Sequence, residues 1–453
     1  MTGLTVDTRH PLERLLLPYE SPGQIDPGWQ AETQEAAGVR CHSGAGNPEW
    51  LFSNGWRILA TPDERALEGK PLLAFHTDQG KAFHVTRNRD HVEVPFSLAE
   101  AYENYVLERW VLAAKQRRLS GAALDVFYLL RRAIPRRVQL GGRRALMRWQ
   151  GLPTFPQWPF DGSVHRLLCL YARCLLEALS LETLRFRWFW PPGCRAAVIL
   201  THDVESEQGL REAVRVADLE EKHGLRSSFN LVADWYPIDW GIVEELRGRG
   251  FELGVHGLFH DRSLFSDREQ FEHQLPLLRR FHERIGADGF RSPATYRRLG
   301  WLGELPTQYD CTVPMSDPYE PQPGGCCSPW PFFIGPLVEL PYTLPQDHTL
   351  FTLLRQRDIG LWADQLRALE RTAGLVQCVT HPDPGYLAVP QNRGLYQKFL
   401  ELVSGRENLW HALPRDIAEW WRQRDGQQAS GVSFAVGTAS VSDGPELAQI
   451  SLN

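Results

Sequence analysis

The chain has 453 residues, 43% of them hydrophobic and 23% charged, with a formal net charge of -6. That length exceeds one ordinary core, so two domains of a globular protein are expected. The mild negative charge argues against a dedicated nucleic-acid binder, and no uncharged run is long enough to span a bilayer. The N-terminus, M-T-G-L-T-V-D-T-R-H-P-L-E-R, lacks the apolar core of a signal peptide. The eight cysteines are scattered with no C-x-x-C pair, which fits a reduced, cytoplasmic protein.

Residues 1–190 read as an α+β accessory domain. Residues 19–64 are rich in Gly, Pro and Trp, so short strands and loops are expected there. Pro71–Phe75 and Ala82–Val85 read as a strand pair around Asp78 and Gly80. Ser97, with Glu100 three residues on, opens a helix carrying Tyr102, Tyr105, Val106 and Trp110 at helical spacing. A second helix is expected over 121–132 and a third over 164–181. Seven arginines between 131 and 148 fit a solvated basic face better than an anion site. His42, His76, His84 and His91 have no metal-ligand spacing and read as structural.

Residues 191–425 alternate short apolar runs with helical segments. Strands are expected at 196–201, 228–232, 251–255, 289–292, 309–313, 337–341 and 375–380, with a weaker eighth at 408–412. Helices are expected at 209–223, 239–249, 267–285 and 360–373. Seven or eight such units predict a parallel (β/α) barrel with helices outside. Residues 426–453, rich in Ser, Gly and Ala, read as a flexible tail.

Polar residues gather at the carboxyl ends of these strands, where barrels carry their chemistry. The first ends in T-H-D-V-E, where an extended chain points Asp203 and Glu205 to the same side. By itself this pair suits a solvated acidic turn better than a metal ligand beside a base. The third ends in H-G-L-F-H, placing His256 and His260 four apart, a spacing that lets both reach one metal from a helical turn. The fourth ends in R-S-P with Arg291, and the last strong one in V-T-H-P-D-P with His381. Convergence at four strand ends is harder to attribute to chance than any one motif. The stretch 314–348 reads as a long loop at the mouth. Its aromatics, Trp330, Phe332 and Tyr342 among them, suit either sugar binding or packing onto the barrel. Asp347 and His348 follow a strand end and are candidates to enter the site.

These motifs resemble the NodB homology domain of polysaccharide deacetylases, carbohydrate esterase family four and its relatives. The resembled subset carries an extra N-terminal domain and occurs with bacterial surface-polysaccharide biosynthesis. Val94-Pro95-Phe96 with Tyr102 and Tyr105, G-G-C-C-S-P-W-P-F-F, and V-E-L-P-Y-T-L-P-Q-D-H-T-L-F carry that further likeness. The resemblance implies a distorted (β/α)7-type barrel and a divalent metal, zinc by default, held by one carboxylate and two histidines. Here T-H-D-V-E stands for the family's T-F-D-D-G, so Val204 occupies the usual metal-binding position and cannot ligate. Glu205 is its implied replacement beside His256 and His260. Gly257 replaces a hydroxyl residue in the second motif. Asp203 matches the catalytic base, Arg291 the residue that orients it, and His381 the general acid. The family's tryptophan motif has no clear counterpart, although W-P-F at Trp330–Phe332 is a candidate.

The implied function is metal-dependent removal of N-acetyl groups from a glycan or glycan precursor. The alternatives are a C–N hydrolase of the same fold acting on a small amide or imide, and a glycan-binding pseudoenzyme, which Val204 keeps open.

Overall fold

The structure is a computed structural model and describes residues 12, 14–16, 38–65, 67–113, 136–426, 434–440 and 449–452. The helix expected over 121–132, with Arg131 and Arg132, lies outside the described residues. The chain forms two compact units. One comprises Met1–Ala113, Gly162–Arg195 and Arg422–Asn453, the other Ala114–Asp161 and Ala196–Trp421.

The first unit holds strands β1 (Val39–Cys41), β2 (Glu49–Ser53), β3 (Trp56–Ala60), β4 (Lys70–Thr77), β5 (Ala82–Arg87) and β6 (Val92–Val94) in one sheet, ordered β1-β6-β5-β4-β2-β3. The expected hairpin is β4 and β5, turned at Gly80. Ser97 accepts the Glu100 N–H and starts helix Leu98–Val106, which buries Tyr102, Tyr105 and Val106. Helix Ser163–Leu179 buries one apolar face, including Leu167, Leu168, Tyr171 and Leu175. β7 (Thr183–Arg187) pairs antiparallel with Val436–Ser440, which in turn pairs with Gln449–Leu452.

Two features differ from the linear partition into 1–190, 191–425 and 426–453. The segment expected as a flexible tail contributes two strands, because its main chain completes the ladder that β7 begins. The stretch around 136–161 groups with the barrel rather than with the first unit. Its ties include hydrogen bonds: Arg143 donates to Tyr319 O, Arg144 to Thr352 O at 2.6 Å, Ser316 Oγ to Gln157 O at 2.8 Å, and Gln365 to Pro159 O at 2.6 Å. Arg143 and Arg144 thus each give one donor to a carbonyl of the barrel unit.

In the second unit the strands are β8 (Ala196–Val204), β9 (Ser228–Leu231), β10 (Glu252–Val255), β11 (Gly289–Phe290), β12 (Tyr309–Asp310), β13 (Phe332–Ile334), β14 (Leu337–Glu339), β15 (Leu375–Thr380) and β16 (Leu409–His411). Seven run parallel in the order β14-β12-β11-β10-β9-β8-β15. Every residue of β8, β9, β10 and β15 is buried, as strands covered on both faces require. The ring closes just beyond β14, where Leu344 N–H donates to Gln377 O at 3.2 Å. Beside it the Thr343 hydroxyl donates to Leu375 O at 2.7 Å and accepts from Gln377 N–H at 3.0 Å. A side chain substitutes for part of the ladder there, which makes this a distorted (β/α)7 barrel.

The eighth expected strand, β16, does not extend the ring. It pairs with Ala196–Val198, while β9 takes Thr201–Val204 of the same β8 edge. Helices Glu207–Lys222, Trp240–Gly248, Arg268–Ile285 and Gly360–Arg371 lie where the periodicity places them. Ser206, Asp239 and Asp267 cap the first three by accepting main-chain N–H groups. Among the described residues no helix is long and apolar enough to cross a membrane.

Candidate metal centre

Strand direction brings the ends of β8, β10, β11 and β15 to one mouth. Asp203 lies in the last turn of β8, with Val204 buried on the opposite side and Glu205 just beyond. The Glu205 main chain is pinned, since its N–H donates to Asp383 Oδ2 at 2.9 Å and the Ser206 hydroxyl donates to the same carboxylate. Asp383 belongs to the T-H-P-D-P that ends β15, so two strand ends are stitched together at this point.

His256 and His260 follow β10. They are not on a helical turn: residues 256 and 257 are irregular, residues 258–262 form a bend, and the two ring centroids lie 5.3 Å apart. Gly257 makes the bend possible. Its φ is +79°, and a Cβ there would stand 2.9 Å from Pro293 Cγ, which explains glycine where the resembled motif has a hydroxyl residue.

Glu205, His256 and His260 each offer one ligand atom, all within 4.8 Å of one another. The donor set fits a divalent metal. His256 Nδ1 is 2.9 Å from Arg291 O; a carbonyl only accepts, so Nδ1 carries the proton and Nε2 is a bare lone pair. Nε2 of His256 is buried without a hydrogen-bond partner, as an imidazole nitrogen reserved for an ion would be, while that of His260 lies against the Glu205 carboxylate. Burial drives His256 down to about 4, so the ring is neutral as a ligand requires. Glu205 Oε1 stands 2.9 Å from His260 Nε2; burial opposes its charge, but His260 and His381 hold its carboxyl well below the usual range.

Asp203 has different partners. Its Oδ1 accepts from Asn230 Nδ2 at 2.8 Å and lies 3.3 Å from Arg291 Nε. It stands 4.0 Å from Nδ1 of His256, the nitrogen turned away from the ligand cluster. Burial would raise its pKa, but His256, Arg291 and His381 outweigh that and keep it ionised. Arg291 is itself held by donation to Thr201 Oγ1 at 3.0 Å and, with the Gln377 amide oriented to match, to Gln377 Oε1 at 2.6 Å.

On the remaining side, His381 Nδ1 is 2.6 Å from Asp347 Oδ1, and the His381 N–H donates to Asp347 Oδ2 at 2.9 Å. Its Nε2 points to Glu205 Oε1, 3.6 Å away. Burial disfavours the charged ring, yet Asp347 and Glu205 raise it to about 10. Asp347 therefore enters the site as a fully buried anchor, whereas His348 turns to the Tyr386 hydroxyl at 3.1 Å.

All six site residues read from the strand ends are thus brought together. Asn230 and Asp383 escaped that reading. Asn230 is marked only by being polar in an apolar strand, and Asp383 by standing two residues beyond His381. The loop aromatics prove to be packing elements: Trp330, Phe332 and Tyr342 are buried, and Trp330 Nε1 donates to Ala373 O at 2.9 Å. Trp330 therefore does not supply a tryptophan to the site. His202, adjacent to Asp203, points away into a buried network with Thr380 and Glu220, each at 2.7 Å.

Fold and site define a (β/α)7 barrel with a carboxylate–histidine centre at the strand ends. No family model and no curated protein matches the chain. Among solved structures, one from Mycobacterium smegmatis assigned as a polysaccharide deacetylase is 19% identical, with 54% of this chain and 95% of that one covered and a TM-score of 0.43. The allantoinase PuuE is 18% identical, with 52% and 93% covered and a TM-score of 0.41. The peptidoglycan deacetylase PdaC of Bacillus subtilis is 10% identical, with 51% and 94% covered and a TM-score of 0.34. Polysaccharide and peptidoglycan deacetylases recur among these solved structures.

Proposed function

We propose that this protein is a metal-dependent hydrolase that removes N-acetyl groups from a glycan or glycan precursor. The observation that supports it is the division of the site into three parts: a ligand cluster, an ionised carboxylate held by an arginine, and an imidazolium held by a carboxylate.

In this reading Glu205, His256 and His260 hold a divalent ion, zinc by default, which supplies polarisation of the acetyl carbonyl and a more acidic water. Asp203 takes the proton of the attacking water. Arg291 and Asn230 keep that carboxylate charged and aimed. His381 enters as the protonated form and delivers its Nε2 proton to the departing amine, and Asp347 fixes its tautomer and orientation. The bond formed is between the water oxygen and the carbonyl carbon. The bond broken is carbon to nitrogen, leaving acetate and a free amine.

The test is acetate release from a panel of N-acetylated sugars, paired with metal analysis of the purified protein. Stoichiometric metal with acetate release supports the proposal. Metal-free protein with undiminished activity, or no acetate from any sugar with metal bound, overturns it.

A further inference from the structure

The segment after β9 carries Trp235, a residue that the proposed chemistry does not use. Its neighbours fix it to both loops that supply the centre. Ala233 N–H donates to Gly257 O at 3.1 Å and Asp234 N–H to Leu258 O at 2.8 Å, between His256 and His260. The Tyr236 hydroxyl donates to Val204 O at 2.9 Å, between Asp203 and Glu205. Tyr236 is thus spent on anchoring. Trp235, between these bonds, leaves 42% of its surface open, and its ring centroid lies 6.1 Å from that of His260.

An exposed apolar side chain alone signifies little. Here, however, the indole is a rigid, flat group on a main chain tied down on both sides, beside a candidate metal ligand. A ring so placed loses little conformational freedom when something lies against it, which is what makes aromatic side chains effective anchors. Near an acetamide-hydrolysing centre, the matching surface is the C–H face of a pyranose, which is apolar and flat while its rim is hydroxylated. A small free amide has no such face. Trp330, Phe332 and Tyr342 of the 314–348 loop are buried and offer no such platform.

Resting on the deacetylase reading, we infer that Trp235 is the stacking platform of a sugar subsite, so that the substrate presents a pyranose ring against it and is not a small amide. The ring stacks on the indole while its acetamide, or that of its neighbour, reaches the centre.

The experiment uses full-length protein stripped of metal, with calorimetric titration of N-acetylglucosamine and N-acetylgalactosamine oligosaccharides into wild type, Trp235→Ala and Trp235→Phe. Unchanged melting temperatures serve as the folding control, as expected for an exposed side chain. Wild type should bind at least one oligosaccharide, Trp235→Ala should weaken Kd at least tenfold, and Trp235→Phe should stay within threefold. In the metal-loaded enzyme the loss should lie in KM. Equal Kd for wild type and Trp235→Ala, or no binding of any oligosaccharide to wild type, overturns the inference. Trp235-dependent binding without acetate release would instead overturn the deacetylase reading. Acetate release indifferent to Trp235 would sink only the subsite.

Discussion

Nδ1 of His256 sits 2.9 Å from the main-chain oxygen of Arg291, so one hydrogen bond joins the ligand cluster to the residue that holds Asp203. The bond turns Nε2 toward Glu205 and His260, while Nδ1 lies 4.0 Å from Asp203 Oδ1. The two carboxylates of T-H-D-V-E are thereby given different surroundings, and they should fail differently.

Glu205→Gln should lower metal affinity by more than the roughly 10–100-fold typical of losing an outer-shell partner, with activity partly restored by added metal. Asp203→Asn should retain the metal and lower kcat by about 10²–10⁴-fold. Metal titrations of the deacetylation rate on both variants decide this. Metal loss in Asp203→Asn with retention in Glu205→Gln would reverse the two roles.

Asp347 makes two contacts with His381, to the ring and to its main-chain N–H. Asp347→Asn preserves shape but removes the charge that keeps the ring protonated. It should lower kcat about 10²-fold with metal content and KM little changed. A variant whose kcat equals wild type would show that His381 needs no such anchor.

Much of this was legible because strand ends in a parallel barrel converge by topology. Once seven apolar runs are placed, Asp203, His256, Arg291 and His381 must share a mouth. What escaped was what the sequence separates. The Thr343 hydroxyl that closes the ring looks like any loop threonine, and Val436–Ser440 reads as a tail until β7 is seen to need a partner. The H-x-x-x-H spacing fits a helical turn and the bend at Gly257 alike. The positive φ of Gly257 and the close approach of Pro293, 36 residues on, distinguish them.

Arg424 tests the first unit. It is 1% exposed and donates to four carbonyls, of Trp188 at 3.0 Å, Arg14 at 2.6 Å, Leu15 at 2.5 Å and Arg187 at 2.8 Å. Burial lowers its pKa to about 9. Lysine cannot reproduce the planar fork. Arg424→Lys should therefore cost about 2–4 kcal/mol by chemical denaturation, because several buried carbonyls lose their donors. A cost below about 0.5 kcal/mol would show that those carbonyls find other partners.

Glu252 gives a pH signature distinct from that of the proposed catalytic groups. Its side chain lies at the start of β10, 2% exposed, where the Tyr309 hydroxyl donates to Oε1 at 2.5 Å and the Arg415 N–H to Oε2 at 3.2 Å. Burial dominates these bonds and raises its pKa from 4.5 to about 7. The folded state thus holds a proton that the unfolded chain releases near its ordinary pKa. Stability from this group is complete below about 4.5, falls as pH rises through that interval and is lost above about 7. The interval from 4.5 to about 7 corresponds to about 3 kcal/mol. Glu252→Gln removes the titration while keeping an oxygen for Tyr309. Denaturation of wild type and variant at a series of pH values from 4.5 to 8 isolates the effect, because other titrating groups cancel in the difference. Wild type should lose stability relative to Glu252→Gln as pH rises across that window. A pH-independent difference would mean that Glu252 is ionised throughout, with Tyr309 and Arg415 sufficient to carry its charge.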